Sequence, residues 1–333
     1  MKRLVVVGTS AGGIDALRFL AAGLPETFPA AICAVIHTSP DSPGVLPDIL
    51  NRAGHLSVRA ARDRQRMEPG HLYLAPPDHH LLVEPGSVRV TRGPRENGFR
   101  PAIDPLFRSA AQVYGPAAVG VILTGNLDDG TAGLWILKRL GGIAIVQSPD
   151  DALFPSMPWH ALRHVRVDYS VPLSGIPSVL MKVTAEAAPD AKAIEVPEHL
   201  DVEVKIAKEE NPREAGLESL GRPSPYACPE CHGVLLELTQ EGRGRFRCHI
   251  GHAYSVESLL AAIKDEIELD LDTAIRSLEE GALLMDRIAR QLTESDQRHA
   301  AALTKAAAAR ARRQSEAVRS ALLERVDEAV NTD

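Results

Sequence analysis

No apolar run in this chain of 333 residues approaches the roughly 20 residues needed to cross a bilayer, so no membrane insertion is expected. Nor is a secretion signal expected. Met1-Lys2-Arg3 is basic and Leu4 to Val7 apolar, but the apolar stretch is short and runs straight into a glycine turn, so it reads as a first strand. Positive charge is not in excess: 37 Lys and Arg face 44 Asp and Glu, and the formal charge of -7 argues against a nucleic-acid binder. The local basic patch Arg310-Ala311-Arg312-Arg313 reads as a solvated helix face. Cysteine is scarce, four residues in all, and without a signal peptide a disulfide scaffold is not expected. Three of the four, Cys228, Cys231 and Cys248, crowd into one short stretch, which suggests a metal, while Cys33 lies in an apolar strand pattern and reads as a small core residue. What remains is ordinary: 44% apolar and 24% charged residues exclude a disordered or fibrous chain, and the length allows more than one domain. A cytoplasmic location is the expectation.

From residue 1 to about 182 short β-rich apolar runs alternate with helical stretches. Strands are predicted at Leu4 to Val7, Ala31 to Ile36, Leu72 to Ala75, Val119 to Leu123, Ile143 to Val146 and Val167 to Val171. Helices are predicted at Gly13 to Ala22, Val45 to Ala53, Pro105 to Val113, Ala132 to Leu140 and Pro158 to Val165. This order implies an α/β fold with a doubly wound, mostly parallel sheet. From His80 to Thr91, two β-like runs flank Pro85-Gly86-Ser87 and read as a hairpin added to that sheet. Residues 183–225, rich in Glu, Lys, Ala and Pro, are expected to be a linker. A compact cysteine segment, 226–254, follows. In the tail, 255–330, Leu271, Leu278, Met285 and Leu292 recur every seven residues as a helical seam, interrupted at Thr293 to Gln297, and a second helix rich in Ala and Arg runs from about Arg298 to Val330. A helical hairpin or coiled coil is expected there.

Gly8-Thr9-Ser10-Ala11-Gly12-Gly13 lies between a strand and an amphipathic helix and has two readings. It is either a phosphate-cradling turn or a sharp turn that presents Ser10 as a nucleophile. A dinucleotide site usually has Asp or Glu at the end of the second strand, to hold a ribose, whereas here that strand ends at Ile36-His37-Thr38. Neighbouring parallel strands are about 5 Å apart, so His37 can reach Ser10. Carboxylates for a third member stand at the end of another strand, in Leu123-Thr124-Gly125-Asn126-Leu127-Asp128-Asp129-Gly130. All three positions share the carboxyl edge of one sheet, where open α/β sheets bind ligands. The order Ser, His, Asp disfavours the standard α/β-hydrolase, whose acid precedes its histidine.

These segments, together with Leu72-Tyr73-Leu74-Ala75-Pro76-Pro77-Asp78-His79-His80 and Arg100-Pro101-Ala102-Ile103-Asp104, resemble the successive motifs of the CheB-type chemotaxis methylesterase domain, in order, over residues 1–182. The resemblance implies a triad of Ser10, His37 and Asp129, with Asp128 the competing acid. It further implies hydrolysis of γ-glutamyl methyl esters on a methylated receptor or other signalling protein, with glutamine deamidation as a related activity. Backbone N–H groups near His37 and Asn126 are the expected oxyanion site. Asn126-Leu127 stands where the family usually has Met-Gly, and Ala11 where Thr often follows the serine. Because the first strand starts at once, the expectation is a chain without the family's phosphorylation-receiver domain. The rivals from other classes are a non-catalytic scaffold with a degenerate esterase fold and a nucleotide binder using the glycine turn.

Cys228-Pro229-Glu230-Cys231 and Cys248-His249-Ile250-Gly251-His252 have spacings that suit tetrahedral zinc. The expected ligands of this structural Zn2+ are Cys228, Cys231, Cys248 and His252, with His249 as the alternative fourth, and Val234 to Leu238 and Arg245 to Arg247 read as strands of a small ribbon. The Cys-Pro-x-Cys, Phe-x-Cys and Gly-His-Ala-Tyr-Ser pattern followed by long helices is similar to a C-terminal extension of some stand-alone methylesterase-like proteins. Such a tail offers a surface for a partner protein or for homo-oligomer formation.

Overall fold

The computed structural model describes residues 3–188, 196–238 and 244–330, with side chains described as far as residue 322. Residues 1–259 form one compact unit and 260–333 a second.

In the first unit the chain runs β1 (Leu4–Thr9), α1 (Gly13–Gly23), β2 (Ala31–Ile36), α2 (Leu46–Asn51), β3 (Ser57–Ala60), β4 (His71–Leu74), β5 (His80–Glu84), β6 (Ser87–Thr91), α3 (Ile103–Tyr114), β7 (Ala118–Ile122), α4 (Thr131–Arg139), β8 (Ile143–Gln147), α5 (Ser156–His164), β9 (Tyr169–Val171) and α6 (Ile176–Ala185). Seven strands make one sheet in the order β3-β4-β2-β1-β7-β8-β9. Every pairing in it is parallel, so the sheet is wholly rather than mostly parallel. The apolar runs explain this. β1 and β2 are buried along their whole length, as strands covered on both faces must be. Alternate residues of β1 serve opposite layers: Leu4 and Val6 join the core under α3, α4 and α5, whereas Val5 and Val7 join the core under α1 and α6.

The hairpin β5–β6 does not extend the main sheet. It is a separate two-stranded sheet whose Leu81, Leu82, Val83 and Val88 pack into the α3 side of the core, and the Val83 N–H donates to Ser109 Oγ of α3 at 2.9 Å.

The segment expected to be a linker has structure of its own, apart from 189–195, which lie outside the described residues. Helix α7 (Glu198–Ala207) buries Leu200, Val204 and Ala207 in the core on the α3 side of the sheet. A four-stranded antiparallel ribbon follows, β10 (Gly221–Ala227), β11 (Val234–Leu238), β12 (Arg245–Cys248) and β13 (Ala253–Ser255). Helix α8 (Val256–Glu294) starts from it, and its first turn is closed by a capping box: the Ser258 N–H donates to Ser255 Oγ at 3.0 Å while the Ser255 N–H donates to Ser258 Oγ at 2.9 Å.

The second unit is the remainder of α8 and α9 (Arg298–Val330). Ile275, Ala282 and Ala289 are buried between the half-buried Leu271, Leu278, Met285 and Leu292, so residues alternate at steps of four and three along one face. Ala282 packs with Ala308 and Ala311 of α9, small side chains that let the helices approach closely. Among the described residues no helix is long and apolar enough to cross a membrane.

Candidate active site

β1 and β2 are paired with Thr9 opposite Ile36, so Ser10 and His37 each stand one residue past the end of adjacent strands. Gly12, at φ 73°, adopts the left-handed conformation that turns the chain from β1 into α1 directly after Ser10. The Ser10 N–H donates to Thr124 O at 3.0 Å, tying this turn to the end of β7. Behind the serine the chain passes very closely: a Cβ on Gly125 would lie 2.2 Å from Met157 Sδ and 2.8 Å from Ser10 Cβ.

His37 Nδ1 lies 3.0 Å from Ser10 Oγ, and His37 Nε2 lies 2.8 Å from Asp129 Oδ2. The nitrogen facing the serine is thus Nδ1, the reverse of the chymotrypsin arrangement. The imidazole face is covered by Phe99, stacked at a centroid distance of 3.7 Å.

Asp129 is buried and sits at the N-terminal ends of two helices. Its Oδ2 accepts from the Ile103 N–H of α3 at 2.7 Å, and its Oδ1 accepts from the N–H groups of Gly130 at 2.9 Å and Asp104 at 3.3 Å. α3 has no side-chain cap of its own at Ala102, so Asp129 supplies one from outside the helix. The Asn97 amide donates to Oδ1 at 2.9 Å. Burial alone would raise the Asp129 pKa, but the bond and charge of His37, with the Ile103 N–H and the Asn97 amide, hold it below the usual carboxylate range.

The neighbouring acids behave oppositely. Burial, then the charge of Asp129, pushes Asp104 up to about 6. Asp128 is pushed up to about 7 by burial, and it accepts from Ser255 Oγ at 2.8 Å rather than contacting His37. Of the two candidate acids, then, Asp129 is the one brought to the imidazole.

The serine and histidine open on a cleft of about 490 Å³ lined by Ala11, Thr38, Arg95, Phe99 and Arg100 among others. The His37 N–H, near which an oxyanion donor was expected, is engaged with Thr9 O at 3.3 Å. Asn126 stands exposed at the loop after β7.

The sequence profile of the CheB methylesterase family matches residues 5–180. The chain belongs to the CheB methylesterase family. It is 37% identical over 180 residues to a Leptospira interrogans protein provisionally named protein-glutamate methylesterase/protein-glutamine glutaminase, covering 54% of this chain and 93% of that one. It is 38% identical over 179 residues to the protein-glutamate methylesterase/protein-glutamine glutaminase of Yersinia pestis, of which it spans about half (51%). Among solved structures it is similar to the Thermotoga maritima CheB methylesterase catalytic domain, with a TM-score of 0.53 and 33% identity over 55% of this chain and 99% of that one.

Beyond the part that matches the CheB family lies a second cluster. Cys228, Cys231, Cys248 and His252 bring one ligand atom each to within 4.8 Å of one another, and together they could hold a metal ion. His252 Nδ1 is 3.6 Å from both Cys228 Sγ and Cys248 Sγ, and Cys231 Sγ is 3.6 Å from Cys248 Sγ. His249 is exposed and packs beside Gly233 instead. Glu230 Oε2 lies 3.5 Å from His252 Nε2, and Tyr254 O–H donates to Glu230 Oε1 at 2.9 Å.

Sequence reasoning did not single out Asn97, Phe99 or Ser255, nor a buried charge cluster in which Glu96 and Glu203 meet Arg108, Arg245 and Arg247. The traces they leave are Ser255 at the end of the Gly-His-Ala-Tyr-Ser run and Asn97-Gly98, a preferred pair for a two-residue hairpin turn.

Proposed function

We propose that this chain is a serine hydrolase that cleaves glutamate methyl esters on a signalling protein, releases methanol, and deamidates glutamine at the same centre. Ser10 is the nucleophile, His37 the base and Asp129 the acid. The observation that carries this reading is the unbroken relay from Ser10 Oγ through His37 to Asp129, at 3.0 and 2.8 Å. The substrate class is supported by the names of the relatives.

In this mechanism the neutral imidazole keeps its proton on Nε2, donated to Asp129, and its Nδ1 lone pair accepts the Ser10 hydroxyl. As Ser10 Oγ bonds to the ester carbonyl carbon, its proton passes to Nδ1. Collapse of the tetrahedral adduct breaks the carbon–methoxy bond, and the departing oxygen takes that proton to leave as methanol. Water then adds to the acyl carbon and gives a proton to Nδ1, which returns it to Ser10 as glutamate is freed. With glutamine the first leaving group is ammonia. Asp129 stays ionised and stabilises the imidazolium. Backbone N–H groups near Asn126 are the donors this reading assigns to the oxyanion. Arg95, in the cleft wall, would attract the carboxylates of an acidic receptor segment.

The four Cys and His ligands suit a closed structural zinc. Tetrahedral bonds of about 2.3 Å to sulfur and about 2.0–2.1 Å to nitrogen imply S···S separations of about 3.8 Å and S···N of about 3.6 Å, near the 3.6 Å separations found. Glu230 would orient His252 behind the metal. Thiolates kept reduced for a metal fit a cytoplasmic protein. The division of the chain in this reading is an esterase domain (1–182), a connecting segment (183–225), a metal ribbon (226–254) and a helical tail (255–330).

The test is methanol release from a methyl-esterified receptor fragment. The wild type should release it, and Ser10→Ala should lower the rate by about 10³-fold or more. An S10A protein that keeps the wild-type rate would overturn the assignment.

A further inference from the structure

The carboxylate proposed as the triad's acid is linked to residues some 130 positions further along the chain. Glu96-Asn97-Gly98-Phe99 is a tight turn: the Glu96 N–H donates to Phe99 O at 3.1 Å and the Phe99 N–H to Glu96 O at 2.9 Å, with Asn97 and Gly98 at φ 53° and 79°. Both central residues at positive φ make the turn type that Asn-Gly favours. A turn's asparagine usually faces water, but this one is buried.

Its amide orientation is settled by its partners. One end of the side chain receives the Ser255 N–H at 2.9 Å and the Ser258 hydroxyl at 2.8 Å, so that end is the carbonyl oxygen. The other end must be the NH2, and it faces Asp129 Oδ1 at 2.9 Å and Asp104 Oδ2 at 3.4 Å. The turn's backbone is stitched to the ribbon as well: the Asn97 N–H donates to Ala253 O at 2.7 Å and the Ala253 N–H to Arg95 O at 3.2 Å. Beneath it Glu96 accepts from Arg247 of β12 at 2.9 Å in the buried charge cluster. The same turn sets Phe99 on the His37 ring.

We propose that Asn97 is a positioning residue of the triad, and that Ser255, the last residue of β13, and Ser258, in the first turn of α8, hold it in place, so that this region is part of the catalytic apparatus rather than an appendage. The proposal rests on the reading of Ser10, His37 and Asp129 as the triad. Asn97 steadies the Asp129 anion and fixes which of its oxygens faces the imidazole. Without that bond, or with a second carboxylate in its place, Asp129 holds a proton on His37 more strongly, and the base is neutral only at higher pH.

The full-length protein tests this with two readouts: the His37 ring titration followed by NMR, and the rate of Ser10 labelling by a fluorophosphonate across pH. Asn97→Asp, which keeps the side-chain shape, should raise the His37 midpoint by about one pH unit and slow labelling more at pH 6 than at pH 8. Asn97→Ala should shift it the same way by less. Ser258→Ala should slow labelling several-fold in the wild-type background and have no further effect in Asn97→Ala, because its influence passes through that side chain. If Asn97→Ala does not fold, N97D and S258A still report through the titration, which is compared with the melting curve. Wild-type labelling with an unmoved His37 midpoint in both Asn97 variants, or an S258A effect that simply adds to that of N97A, overturns the proposal while leaving the triad standing. A wild-type protein whose Ser10 is not labelled at any pH overturns the triad reading, and this proposal with it.

Discussion

Phe99 lies flat on His37, the two rings 3.7 Å apart at their centroids and within 5° of parallel. Ser10 and Asp129 fix the two nitrogens of the imidazole, which leaves tilting about the line between them as its remaining freedom, and a parallel aromatic face removes it. The same ring lines the cleft and covers one face of the imidazole.

Phe99→Leu should therefore lower kcat/KM for the methyl ester by about 10-fold with little change in folding, since the loss is one of orientation. Steady-state kinetics beside a melting curve checks this. An unchanged kcat/KM would mean that the two nitrogen bonds alone orient the ring.

Asp129→Asn should be far more costly. The amide keeps the shape of the carboxylate but places an NH2 either at the Oδ2 position, against the Ile103 N–H and toward His37, where it selects the wrong tautomer, or at the Oδ1 position, against the Asn97 amide and the Gly130 N–H. The expected fall in kcat is about 10³–10⁴-fold, with the labelled fraction of Ser10 falling in parallel.

Strands whose faces are both buried show themselves as unbroken apolar runs, which is why β1, β2, β7 and β8 were legible and why Ser10, His37 and Asp129 could be placed at strand ends. Helix α7 was not legible, because Glu203, one of its most buried residues, is an acid that Arg108, Arg245 and Arg247 make tolerable there. β10 carries Pro223 and Pro225 and has an irregular register with β11, so its pattern speaks against a strand. Asn97 is a polar residue in a turn and Ser255 one at the end of a short strand. Their significance lies in a bond between positions 158 residues apart, which no local pattern encodes.

A metal held by the ribbon should appear as one equivalent per chain in native mass spectrometry, and Cys231→Ser should lower that occupancy. Removing the ion with a chelator exposes thiolates that repel one another. Because each kcal/mol lost shifts the Tm of a unit of this size by about 2–4 °C, a fall of several degrees is expected. A chelated protein that melts as before would leave the cysteines without a metal to hold.

Asp128 and Asp129 are adjacent in sequence, and one variant separates their roles. Asp128 has its pKa raised to about 7, chiefly by burial, with Ser255 Oγ opposing the shift as a hydrogen-bond donor. An acid whose folded pKa lies above its unfolded value, about 3.9, binds more protons in the native state between those two pH values, so its contribution to stability falls as pH rises from about 4 to about 7 and stays lost above that. Ionised Asp128 thus costs on the order of 2–4 kcal/mol at pH 8. Asp128→Asn keeps an acceptor for Ser255 and removes the charge. It should raise the Tm at pH 8 by several degrees, change it little at pH 4, and leave methanol release within a few-fold of wild type. Loss of hydrolysis in D128N comparable to that in D129N would instead make Asp128 the acid, and the bond from His37 Nε2 to Asp129 would then have to rearrange during turnover.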